Sequence, residues 1–256
     1  MIYQIVSYLK FLRRSTNQHG VHSPFVYELI TECFYDKSHH PEYKLLKQHR
    51  KLLRNDHESI EVTDFGAGSR VFRSNQRKIS AIAKTAGVRK KRQQLLFRLV
   101  QFLKPTSILE LGTSLGISSF SMSIAAKDAI ITSVEGCAQT ANTAKKYLEK
   151  FQVENVDLQN TEFNTFLADD KSEYDFIYVD GNHNKVATLA IFERLSSKVH
   201  NNSIIIFDDI YWSREMTEAW NEIVARPEVT VSIDTFQWGL VFFRKEQVKE
   251  HFIIRV

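Results

Sequence analysis

The sequence predicts a doubly wound α/β fold: a seven-stranded, mostly parallel sheet behind a helical amino-terminal appendage. Three observations predict it. After Pro105, short β-rich runs alternate with helical stretches. Those runs are apolar throughout, as in strands covered on both faces. The last two runs lie too close together for a helix between them. The expected organisation is therefore an appendage over 1–104 and a sheet domain over 105–256.

The chain opens with "MIYQIVSYLKFLRR", where Ile2, Ile5, Val6, Leu9 and Leu12 fall near helical spacing and no charge precedes the apolar core. That order is wrong for a signal peptide, and the run is shorter than the ~20 apolar residues a membrane span needs. An amphipathic helix is expected, docked on the domain or on a second copy; a membrane surface is the other reading. In "HSPFVYELITECF", Ser23 is placed as an N-cap and Pro24 at the first helical position. "PEYKLLKQHRKLL" and "KRQQLLFRLVQFLK" continue the helical style, with a short extended run near 60–65 between them.

From 105 onward the strands are "SILEL" (107–111), "IITSVE" (130–135), "NVDLQ" (155–159), "DFIYVD" (175–180) and "SIIIFDD" (203–209). Helical stretches separate them, as at 138–151, where Ala141, Ala144, Leu148 and Phe151 share a face. "VTVSID" (229–234) and "WGLVFF" (238–243) are expected to pair antiparallel as a closing hairpin.

An apolar share of 43% with 25% charged residues excludes a disordered chain. Two cysteines, Cys33 and Cys137, make no disulfide framework and no CxxC metal motif, which suits a reducing, cytoplasmic setting. The formal charge of +4 is unevenly spread. Between Gly66 and Leu109 there is no Asp or Glu, yet there are 11 Lys and Arg, Arg70, Arg73 and Arg89–Arg92 among them. Such a run attracts an anionic substrate, nucleic acid or an acidic partner, or is simply a solvated helix face.

Two stretches have the form of a cofactor loop, "IEVTDFGAGSR" (60–70) and "ILELGTSLGIS" (108–118). In doubly wound folds the first strand turns tightly into a helix, and an acid about 20 residues on, at the end of the next strand, receives ribose hydroxyls. The second loop meets this test: the strand ends at Glu110-Leu111-Gly112, Gly116 completes the turn, and Glu135 ends the next strand 19 residues later. Beyond Gly68 the corresponding stretch is "VRKKR", with neither strand nor acid. The cofactor loop is therefore Gly112-Thr113-Ser114-Leu115-Gly116, and it lacks the third glycine of a dinucleotide fingerprint.

Over roughly 105–245 the chain resembles the class I S-adenosylmethionine-dependent methyltransferases, on "ILELGTSLGISS", "SVEG", "YDFIYVDGNH" and "IIIFDDIYWS" in that order. The resemblance implies a Rossmann-like methyltransferase fold with S-adenosyl-L-methionine as cofactor. It implies a cofactor site at Glu110, Gly112, Thr113, Ser114, Gly116, Ser118, Glu135, Gly136, Glu162, Phe163 and Asp180, with Phe163 along the adenine. Asp180, His183, Asp208 and Asp209 are similar to the metal and base positions of the cation-dependent O-methyltransferases of catechol and sugar hydroxyls. On that resemblance Asp180, Asp208 and Asp209 hold Mg²⁺, His183 is the general base and Asp180 its catalytic partner. The competing reading has these acids orienting loops and His183 capping the following helix. Tyr211, Trp212 and Trp238 are aromatic candidates for an acceptor pocket, against the alternative that they belong to the core.

For the first loop, Asp64, Gly66, Gly68 and Ser69 are expected to form a turn at the mouth of the site, with Arg70 and Arg73 toward a phosphorylated or carboxylated acceptor. The alternative is a plain turn. The function expected is O-methylation of a small-molecule hydroxyl, with homodimerisation through the amino-terminal helices as a further expectation. The rivals are an RNA methyltransferase using the basic 70–104 segment, a non-catalytic cofactor-binding protein and, third, a dehydrogenase.

Overall fold

The computed structural model of the protein describes residues 2–63, 72, 74–85 and 87–256. These fall into two compact units, one of Met1–Asp36 with Leu167–Val256 and one of Lys37–Phe166.

In the second unit three strands run parallel: β3 (Ser107–Leu111), β4 (Ile130–Val134) and β5 (Val156–Gln159). They follow a two-stranded antiparallel sheet of β1 (Ser59–Glu61) and β2 (Gln76–Lys78). The helices of this unit are α3 (Tyr43–Asn55), α4 (Ile79–Thr85), α5 (Lys90–Leu103), α6 (Ile117–Ala125) and α7 (Ala138–Lys150). Four of the nine residues of α6 are serines, and all four are buried. A buried hydroxyl needs a partner, and three of these bond to neighbouring elements. Ser119 donates to Glu110, Ser121 to the Gln93 carbonyl at 2.9 Å, and Ser123 to Asn155 Oδ1 at 2.6 Å. Gln93 returns a bond to the Ile117 carbonyl at 3.2 Å.

The first unit holds β6 (Phe176–Val179) and β7 (Ile204–Asp208), parallel to each other and buried along their whole length. The expected closing hairpin is present: β8 (Val231–Asp234) pairs antiparallel with β9 (Trp238–Phe242), and β9 pairs antiparallel with β7. An eighth strand, β10 (Glu250–Ile253), adds parallel to β8, so the sheet has eight strands rather than seven. Its order is β10-β8-β9-β7-β6-β3-β4-β5. Helices α8 (Phe163–Asp169), α9 (Lys185–Leu195) and α10 (Arg214–Ala225) complete the βα alternation. Asn184 caps α9 through the Ala187 amide and Ser213 caps α10 through that of Met216. Gly239 lets the Trp220 indole lie on β9: a Cβ there would stand 2.5 Å from the ring.

Before the sheet, α1 (Ile2–Arg14) and α2 (Pro24–Glu28) pack in the first unit. Ser23 accepts from the Val26 amide as the N-cap of α2, which continues as a π-helical turn over Leu29–Phe34. In α1 the aliphatic stripe does not dock as expected. Ser7 and Phe11 are buried, while Ile2, Ile5, Val6 and Leu9 are exposed. Aromatic contacts set the orientation instead. Tyr3 Oη donates to Thr217 Oγ1 at 2.8 Å, and the Phe11 and Tyr8 rings pack on Phe236 at 5.5 and 4.9 Å. Among the described residues no helix is long and apolar enough to cross a membrane.

Candidate functional site

The glycine turn after β3 is built from three positive φ angles, 109° at Gly112, 49° at Ser114 and 74° at Gly116. The Gly112 and Thr113 amides both bond the Val134 carbonyl, at 2.9 and 3.3 Å, and the Gly116 amide closes onto the Thr113 carbonyl at 2.9 Å. Gly116 caps α6 without a side-chain hydrogen bond. Opening on a glycine keeps the first-turn amides of α6 available to an incoming group. A Cβ at Gly116 would also lie 3.3 Å from that of Ala144, so α7 packs close beneath the turn.

Glu135, at the end of β4, holds the turn from the other side. Its Oε2 accepts from the Ser114 amide at 2.8 Å and its Oε1 from the Cys137 amide at 2.9 Å. Each carboxylate oxygen has a second lone pair, which leaves acceptor capacity for a diol. Asn160 fixes the strand end by donating to the Glu135 and Gly136 carbonyls at 2.7 and 3.2 Å. The Cys137 thiol accepts from the Thr63 amide at 3.4 Å. Glu162 is exposed and its carbonyl accepts from Phe166 at 3.0 Å, in the first turn of α8; Phe163 is half-buried beside it.

Glu110 sits below the turn and is fully buried. Register places it opposite Ser133 on β4. Its Oε2 accepts from the Ser119 and Ser133 hydroxyls, and Thr113 bonds Ser133 at 2.6 Å. Its Oε1 has no hydrogen-bond partner. Burial pushes this carboxyl above the usual carboxylate range. The Ser118, Ser119 and Ser133 hydroxyls pull it back, and the Glu135 charge adds to the rise. Ser118 is thus directed to Glu110 from inside the helix. The sequence reading missed Ser119 and Ser133; their signal is small polar residues in runs that are otherwise apolar.

The first unit carries the other candidate residues. Asp180 follows β6, and after Asn182 at φ 55° the chain brings His183 Nε2 to 3.7 Å from Asp180 Oδ1. That distance is an ion-pair separation rather than a hydrogen bond. Tyr178 Oη reaches Asp180 Oδ2 at 3.5 Å, and the His183 ring lies 5.7 Å from that of Trp212. His183 does not cap α9; Asn184 does. At the end of β7, Asp208 is buried and its Oδ1 accepts from the Asp209 amide at 2.9 Å, while Asp209 turns the chain with φ 52°. Tyr211 donates to Asp234 Oδ2 at 2.6 Å and stacks on Phe236 at 4.8 Å. Burial first, and then the Asp234 charge, push its hydroxyl well above its ordinary value. Trp238 is core: it is fully buried against Tyr178, with ring centroids 5.9 Å apart.

The structure therefore brings Asp180, His183 and Trp212 together. Among the described residues no three His, Cys, Asp or Glu side chains are grouped to hold a metal ion. Asp64, Gly66, Gly68, Ser69, Arg70 and Arg73 lie outside the described residues.

The sequence model of a methyltransferase domain family matches residues 109–210. No curated protein matches the chain. Among solved structures, a Podospora anserina methyltransferase bound to SAH is 14% identical, with a TM-score of 0.63 over 88% of this chain and 97% of that one. An O-methyltransferase of Bacillus cereus in complex with SAH is 15% identical, with a TM-score of 0.55 over 84% and 96%. An O-methyltransferase of Streptomyces achromogenes involved in tomaymycin synthesis, in complex with SAM, is 19% identical, with a TM-score of 0.54 over 61% and 81%. Over residues 109–210 the chain is thus similar to a methyltransferase domain, and its fold is that of the S-adenosylmethionine- and SAH-bound methyltransferase structures it matches.

Proposed function

We propose that the protein transfers a methyl group from S-adenosylmethionine to a hydroxyl of a small molecule. The observation that carries this is the turn with three positive φ angles, clasped by Glu135, inside the matched methyltransferase domain. The donor's ribose pairs with Glu135, and the bare backbone of Gly112–Gly116 admits its amino-acid end. The unpartnered Glu110 Oε1 leaves an open polar atom behind that end. Glu162, Gly136 and Phe163 complete the adenine side. When bound, S-adenosylmethionine supplies an electrophilic methyl on a sulfonium that departs as a neutral thioether.

His183 Nε2 removes the acceptor's proton as the new O–C bond forms. Asp180, 3.7 Å away, favours the imidazolium that results. Trp212 and Tyr211 flank the acceptor. Where Mg²⁺ is bound, Asp180, Asp208 and Asp209 would hold it, and it would lower the pKa of the acceptor hydroxyl. The acid-free basic run between Gly66 and Leu109 supports an acceptor bearing a phosphate or carboxylate. The buried thiols of Cys33 and Cys137 support a cytoplasmic setting.

The test is thermal unfolding with S-adenosylmethionine, its demethylated product and NAD in parallel. Ligand at 100 times its Kd adds about 2.7 kcal/mol, a shift of roughly 2–4 °C per kcal/mol at this size. A rise with the first two alone supports the reading. A rise with NAD alone overturns it.

A further inference from the structure

The outward stripe of α1 is the largest feature the methyl-transfer reading leaves unused. Ile2 is 80% exposed, Leu9 62%, Ile5 56% and Val6 44%, while Ser7 and Phe11 on the opposite side are at 7% and 4%. Positions 2, 5, 6 and 9 share one helical face, and Arg13 continues it one turn beyond Leu9. Lys10 stands one turn beyond Val6, at the edge of the stripe, and both cations are exposed. The Arg14 charge acts on buried Asp234 instead. The helix cannot roll to hide its aliphatic side. Tyr3 is bonded to Thr217, Phe11 is packed on Phe236, and Arg255 bonds the Leu12 carbonyl at 3.1 Å.

We propose that α1 seats the protein on an anionic lipid surface, with Ile2, Ile5, Val6 and Leu9 in the headgroup–acyl boundary and Lys10 and Arg13 on the headgroups. Charge decides between this occupant and a second copy. The chain has no Asp or Glu before Glu28, so two copies of α1 meeting stripe to stripe bring cations and no anion to pair them. An anionic leaflet supplies the missing charge, and an apolar stripe with flanking Lys and Arg is the pattern that lies in such an interface.

The test is sedimentation of the full-length protein with phosphatidylcholine–phosphatidylserine vesicles and with phosphatidylcholine alone, alongside its mass by light scattering. The expected result is pelleting with the anionic vesicles, weakened by salt. Ile5→Asp with Leu9→Asp lowers it about tenfold or more, and Lys10→Glu with Arg13→Glu acts likewise. Both pairs leave the unfolding temperature unchanged, since these side chains are exposed. Absence of pelleting, or equal pelleting by wild type and variants, overturns the proposal. So does equal pelleting with phosphatidylcholine alone. A mass that halves in the Ile5/Leu9 variant, without vesicle binding by the wild type, assigns the stripe to a second copy.

Discussion

Glu135 holds the glycine turn through Ser114: its Oε2 accepts the Ser114 amide at 2.8 Å, across 21 residues of sequence. Glu135→Gln keeps one oxygen but turns an amide NH₂ toward a backbone N–H. The expected outcome is about tenfold weaker S-adenosylmethionine binding and roughly 1–2 kcal/mol of lost stability. Calorimetric titration and urea unfolding read the two effects. Unchanged affinity would separate Glu135 from the cofactor.

His183→Ala removes the proposed base and leaves the Gly112–Glu135 turn intact. Turnover should fall by about 10²–10⁴-fold with cofactor affinity preserved. A fall in turnover of less than a few-fold would exclude His183 from the proton transfer.

Gly239→Ala places a methyl group 2.5 Å from Trp220 Cζ3, an indole packed with no room to yield. Overpacking of this kind costs about 1–3 kcal/mol, and the melting temperature should drop by several degrees. A melting temperature within 1 °C of wild type, on the ~2–4 °C per kcal/mol scale, would show that Trp220 moves freely.

His49 gives stability a pH dependence. Burial, aided by the Arg50 charge, holds its pKa down at about 3. Neither ring nitrogen has a hydrogen-bond partner, and the ring stacks on Phe120 at 4.4 Å. The folded state keeps His49 neutral while the unfolded chain protonates it below its ordinary pKa near 6.5. Its contribution is therefore fully present above pH ~6.5 and declines as the pH falls toward 3, by up to about 1.4 kcal/mol per pH unit. His251, lowered by burial and then by the Arg14 charge, acts with the same sign. His49→Phe should flatten the stability profile between pH 6 and 4 as followed by urea unfolding; an unchanged slope would assign the acid sensitivity elsewhere.

Most strands from "SILEL" to "WGLVFF" were legible because a strand covered on both faces is apolar along its length, and "NVDLQ" because it keeps the spacing of strands separated by helices. β10 was not, since "EHFI" is half polar and joins the sheet only by pairing with β8. The aliphatics of α1 misled because periodicity reports a face and not what covers it; Tyr3 and Phe11 decided the orientation through partners more than 200 residues away. The Glu135 acid was readable by its position. Its clasp on Ser114 depends on a left-handed backbone angle that no serine announces.

The buried serines of α6 have a mechanical consequence. Aliphatic side chains tolerate small slides and rolls of a helix, because dispersion contacts lack direction. Hydroxyl bonds to Glu110, Gln93 and Asn155 point three ways from one cylinder. They key α6 to its seat like a splined shaft, fixing both its rotation and its axial position. Since the glycine turn is the head of that shaft, its aim is set by the body of the domain whether or not a ligand has arrived.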